Sequence, residues 1–162
     1  MFRTICRHAA ALLFTVVSFA ALADAREIEW NDLMPEEDSK AWIENQTGID
    51  HSGTGPGEVF QSSRTIGELD GQELRIAGFV VPVETTAEGK LEEFFLVPYF
   101  GACIHLPPPP ANQIIYGRLE NPIDMINIWD AFYMEGTLNV EDISNDTADA
   151  AYTMDVDSLV VY

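Results

Sequence analysis

Residues 73–83 read ELRIAGFVVPV and residues 91–100 read LEEFFLVPYF. Both are rich in β-branched and aromatic residues, and TTAEGK (85–90) between them has hairpin chemistry, so the pair predicts two neighbouring strands. Asp70-Gly71 is a turn signal just before the first. Gly78 inside that strand predicts a bulge or a sharp bend. Downstream, QIIYGRLE (113–120) predicts a third strand. IWDAFYMEGTLNV (128–140), with Gly136 near a bend, predicts a fourth, and AYTMDVDSLVVY (151–162) a fifth. Residues 121–128 have room for only a turn of helix, and EDISNDTADA (141–150) reads as a loop or one helical turn. Trp42, Trp129 and the Phe94-Phe95 pair read as core or core-edge aromatics. Five strands with a break between the third and fourth predict a mainly β domain over residues 69–162. Its expected form is a small five-stranded OB-like barrel with a short N-terminal helix. An open five-stranded sheet backed by that helix is the alternative.

Upstream, residues 24–68 form an acidic segment. Pro35 suits the first turn of a short helix, with Glu36, Glu37 and Asp38 placed favourably against the helix dipole. Trp42 and Ile43 are candidates to dock the helix on the domain. The Gly-rich run TGIDHSGTGPG (47–57) reads as an irregular connection.

Residues 1–23 read as an export signal. Arg3 and Arg7 form a charged start, Ala9 to Ala20 are almost unbroken apolar, and Ala21-Leu22-Ala23 offers a small-residue cleavage site. Cleavage is expected after Ala23, with Ala25 the near alternative. The apolar run is shorter than the roughly 20 residues needed to span a bilayer, so no membrane insertion of the mature chain is expected. Cleavage removes two of the eight bases and none of the 27 acids, moving the net charge from −19 to about −21. Such a charge argues against nucleic acid and anionic membranes as partners, because phosphate contacts need Lys and Arg.

Of the two cysteines, Cys6 lies in the signal, leaving Cys103 alone in the mature chain and excluding an internal disulfide. In Cys103-Ile104-His105 the thiol and imidazole are two residues apart. On an extended chain they face the same way, which is half of a tetrahedral site suited to Zn²⁺, with Cu⁺ the alternative. Further ligands must come from elsewhere, with His51 or a carboxylate such as Glu92, Glu93 or Asp130 as candidates. Pro107, Pro108, Pro109 and Pro110 predict a polyproline II segment that either stiffens the loop or forms a ridge for a partner. Asn112 and Gln113 can hydrogen-bond the loop backbone or a ligand. A buried, inert thiol at Cys103 is the competing reading. Catalysis by a Cys-His pair is disfavoured, since adjacent alternate positions on a strand are awkward for mutual contact. The acids between 141 and 157 lack the spacing of a calcium loop and read as a solvated face.

The runs LDGQELRIAGFVVPVE and EFFLVPYFGACIHLPPPPANQIIYG (residues 69–84 and 93–117) resemble the bacterial DUF3299 family, whose pattern is GFVVPL followed by EFLLVPYFGACIHxPPPPxNQ. Val83 and Ala111 are small departures from it. The resemblance implies an exported, periplasmic protein. It also implies that Cys103, His105, the four prolines, Asn112 and Gln113 belong to one motif. Some relatives are encoded near ABC-type transporter components, some of them linked to zinc. The resulting expectation is a periplasmic metal-binding or accessory protein beside a transport system. The alternative is an interaction module of an envelope complex that uses the proline loop, with Cys103 structural.

Overall fold

The computed structural model describes residues 25–47, 60–102 and 109–162. The export signal, the Gly-rich connection with His51, and Cys103, His105, Pro107 and Pro108 lie outside the described residues. Five main strands are present: β1 (Gln72–Thr85), β2 (Leu91–Val97), β3 (Ile115–Ile123), β4 (Ala131–Asn139) and β5 (Tyr152–Val161). They pair in the order β1-β2-β3-β5-β4, and β4 returns to β1, closing a barrel. Only β3 and β5 run parallel among these five. This is the Greek-key connectivity of an OB-type barrel, and it removes the open-sheet alternative.

Closure depends on β1 being long and changing partners midway. Gln72 to Phe79 pair with β4, whereas Phe79 to Thr85 pair with β2. The change falls at Phe79, next to Gly78, where a Cβ would sit 2.8 Å from both Leu96 Cγ and Val97 O. The bulge expected at Gly78 lies further on, between Pro82 and Thr85, and the glycine instead lets the strands converge here. Gly136 does the same on β4, since a Cβ there would meet the Asp155 carbonyl oxygen at 2.1 Å.

The chain buries both faces of its first two strands, which is why their sequences do not alternate. Leu74, Ile76, Phe94, Leu96, Ile115, Met134, Leu138, Tyr152 and Met154 fill the barrel. On the outside, Val81, Phe95, Val97, Ile114 and Tyr116 form a second apolar cluster, covered by Ala102, Ala148 and Ala150. The 141–150 segment forms a small hairpin, Ile143–Ser144 against Asp149–Ala150, rather than a helical turn. Asn145 Oδ1 shapes its tip by accepting the Thr147 and Ala148 amides.

Helix α1 spans Glu36–Thr47. Pro35 stands one residue before it, and its carbonyl accepts the Ser39 N–H at 3.0 Å. Trp42 is half-buried and meets the Phe60 ring at 6.1 Å, while Ile43 is 50% exposed. The arm before the helix runs along the barrel: Arg26 and Glu27 pair in parallel with Leu74 and Arg75, and Trp30 Nε1 donates to Ala77 O. Strand β4 starts at Ala131 rather than near residue 128. Asn127 accepts the Trp129 amide and donates to Asp130, making a turn just ahead of the strand. That turn places Trp129 outside the core, 66% exposed.

Candidate functional site around the Cys103 loop

The connection from β2 to β3 carries the motif. It leaves β2 through Pro98 and Tyr99, and turns at Gly101, whose φ of +84° is the left-handed region that glycine adopts without strain. Tyr99 packs on the outer cluster, and Ala102 is fully buried in it. Phe100 is 40% exposed, edge-on to Phe79 at 5.9 Å and with Trp129 stacked on it at 5.0 Å between centroids.

The far end of the loop is held more firmly. Pro109 and Pro110 are buried, and Pro110 O accepts the Gln113 amide to start a 3-10 turn over Ala111–Gln113. Ala111 O accepts the Ala151 amide at 2.9 Å, tying the turn to the start of β5. The proline ridge expected over four residues is therefore limited: its last two members face the interior and offer a partner no surface.

Asn112 and Gln113 are also buried, 0% and 1% exposed. Asn112 Nδ2 donates to Arg64 O, and its backbone amide donates to Ser62 O. Gln113 Nε2 donates to Trp30 O and to Asn112 O. Of the two roles their sequence allowed, bonding backbone is the one their described contacts fill. The backbone they bond belongs to the N-terminal arm and to the strap at residues 60–66, not to the loop alone. As partner-binding residues they are out of reach, because both side chains are enclosed. Among the described residues, the buried Asn112 Oδ1 has no hydrogen-bond partner.

The strap these amides hold is bonded in turn to helix α1. Arg64 makes a two-pronged ion pair with Asp38, and the Ser62 hydroxyl also donates to Asp38. The Arg64 guanidinium holds the Asp38 carboxyl below the usual carboxylate range, against the opposing effect of burial. Tyr152 completes the assembly from inside the barrel. Its hydroxyl donates to Leu33 O and accepts the Ile66 amide, both at 2.7 Å. Asp38 is readable in the sequence only as a first-turn acid of the helix. Its pairing with Ser62 and Arg64 gives no signal there, because the partners lie 24 and 26 residues away across the Gly-rich run. A cleft of about 450 Å³ opens beside the motif turn, between residues 61–63, Ala111 and the Ile143–Ser144 hairpin.

Among the candidate ligands, Glu93 lies on the outer face of β2 opposite Arg118 and accepts the Tyr116 hydroxyl. Burial, and then Glu93 beside it, hold Tyr116 well above the usual phenol range. Asp130 is engaged by Asn127. Among the described residues no three His, Cys, Asp or Glu side chains converge as a metal site. A site at Cys103 and His105 would thus draw on donors outside them, such as His51, or on single described carboxylates.

The fold and the anchored loop define a small closed Greek-key barrel dressed by an N-terminal arm, a strap and a buried proline–amide turn. Residues 30–161 match the family described as "Protein of unknown function (DUF3299)", and the chain belongs to that family. It is similar to the crystal structure of a DUF3299 family protein from Pseudomonas aeruginosa PAO1. The two are 34% identical, with a TM-score of 0.68, over 86% of this chain and 97% of that one. No curated protein matches the sequence.

Proposed function

We propose that this is an exported, periplasmic protein that binds a transition metal, Zn²⁺ ahead of Cu⁺, through Cys103 and His105. In this reading it serves as an accessory or buffering component beside an ABC-type transporter or a related envelope complex. The observation that carries the proposal is the anchoring of both ends of the segment. Ala102 on one side, and Pro109, Pro110, Asn112 and Gln113 on the other, are buried, and the second group is bonded to the arm and strap. Only six residues separate these fixed points, and they contain the mature chain's single thiol and a histidine two residues on. Fixing the ends lowers the conformational entropy lost when a metal is bound, which favours affinity. A thiolate with imidazole suits soft and borderline ions over Mg²⁺ or Ca²⁺.

The test is elemental analysis of untagged protein purified from residue 24. Near-equimolar zinc or copper in the wild type, and its loss in Cys103→Ser and His105→Ala, is the expected result. Metal-free protein that stays metal-free after incubation with zinc under reducing conditions would end this reading. The competing reading, a partner surface with a structural Cys103, is weakened by the burial of Pro109 and Pro110. It predicts envelope pull-downs that depend on Pro107 and Pro108 and survive Cys103→Ser.

A further inference from the structure

At the end of the barrel away from the Cys103 loop, the parallel seam between β3 and β5 comes apart. The two strands are in register only from Ile115 opposite Tyr152 to Leu119 opposite Val156. Beyond that point β3 bulges outward, fitting the four residues between Arg118 and Ile123 where β2 has only Glu92. Strand β5 has its own irregularity: Gly136 faces Val156 and Glu135 faces Ser158, so Asp157 is the extra residue. The parting strands open a cleft of about 280 Å³. Its apolar lining is Leu119, Ile123, Val156 and Leu159, and Glu120 and Asp157 stand exposed beside it.

From Ser158 onward β5 is bonded to β4 on one side and, among the described residues, to no strand on the other. The Tyr162 amide donates to Ala131 O directly opposite. By the alternation of an antiparallel ladder, the N–H groups of Leu159 and Val161 point to the open side. Native proteins usually blunt such an edge with lysine, proline or an inward charge. The run SLVVY (158–162) has none of these, and Val160, Val161 and Tyr162 are 48%, 65% and 70% exposed.

Charge decides the occupant. Glu120 and Asp157 line the cleft, Asp155 lines the groove adjoining it, and Arg118 in that groove is already paired with Glu141 at 2.9 Å. A second copy of a chain with net charge −19 would bring the same acids against each other. We propose that this edge takes an extended segment of a partner protein bearing lysine or arginine, added as a further strand beside β5. Main-chain hydrogen bonds to Leu159 and Val161 supply the pairing, the cleft takes an apolar side chain, and the acids select a basic sequence.

The probe is a fluorescent eight-residue peptide of alternating valine and lysine, titrated by anisotropy. Its control has the same composition with alternate backbone nitrogens methylated, so that charge is kept and strand pairing is blocked. The expected result is saturable binding of the first peptide, at least tenfold weaker for the control. Val161→Pro should weaken binding at least tenfold, and Asp157→Lys about fivefold. On the wild-type protein, which needs no variant to fold, the Leu159 and Val161 amides should exchange at least tenfold more slowly at peptide saturation. Equal binding of both peptides, or unchanged exchange at these amides, overturns the proposal. So does a wild-type dimer that Val161→Pro converts to monomer.

Discussion

Replacing Tyr152 with phenylalanine isolates the bond that joins arm, strap and barrel. The ring is fully buried and phenylalanine keeps its shape, so no cavity of consequence is made. What is lost is one hydroxyl making two bonds of 2.7 Å, to Leu33 O and from the Ile66 amide. Leu33 is fully buried and Ile66 half-buried, so one partner is stranded away from water and the other only partly. A stranded buried group costs about 1–3 kcal/mol, and a partly solvated one nearer 0.5–1 kcal/mol. The expected destabilisation is therefore about 1.5–4 kcal/mol. Urea unfolding followed by tryptophan fluorescence should show a lower midpoint with an unchanged slope, because the surface exposed on unfolding is the same. In native-state hydrogen exchange the Ile66 amide should lose protection more than amides in the middle of β2. A loss below 1 kcal/mol, or no selective change at Ile66, would refute the claim that this hydroxyl fastens the two segments.

Gly136→Ala should destabilise by more than about 3 kcal/mol or prevent folding, seen as loss of the cooperative thermal transition, because the new methyl meets the Asp155 backbone oxygen rather than a movable side chain. Burial raises the Tyr152 hydroxyl above its ordinary value. Its contribution is fully present below the unfolded phenol pKa and is lost as pH rises through the higher folded value. The alkaline unfolding limb of the wild type should therefore be steeper than that of Tyr152→Phe. Asp38 has the opposite sign: its folded pKa is lowered, first by the Arg64 hydrogen bond. The stability it adds is present above the unfolded carboxylate pKa and lost as pH falls through the folded one, so Asp38→Asn should flatten the acid limb in pH-dependent unfolding. Asn112→Ala removes the bond to Arg64 O that helps fix the loop's far end; under the proposed zinc-binding function, affinity for zinc measured by competition with a chelating dye should fall about tenfold without loss of stoichiometry.

The two-sided burial of β1 and β2 explains which features were readable in advance. Runs such as FVVPV and FFLVPY are apolar without alternation because one face fills the barrel and the other lies under the motif loop and the 143–150 hairpin. Strand identity is a local property of such runs, so all five strands were found, although their limits differ. Strand β2 ends at Val97 rather than residue 100, β3 continues to Ile123 where a helical turn was expected, and β4 starts only at Ala131. Trp129 was misplaced for a related reason. An aromatic next to a strand usually packs inward, but the Asn127–Asp130 turn sets it against Phe100 at the surface.

The amino-acid sequence by itself determined the strand content, the irregularity at Gly136, the helix beginning after Pro35, the acidic character and the break between β2 and β3. These follow from local propensity, backbone sterics and composition. Tertiary structure alone decided that Asn112 and Gln113 fasten the arm and strap, that Asp38 meets Arg64, and that the β3–β5 seam opens after Val156. Each of these depends on where distant segments meet once the barrel closes. Side-chain amides and charges find such partners through long-range geometry, which no local pattern of residues encodes.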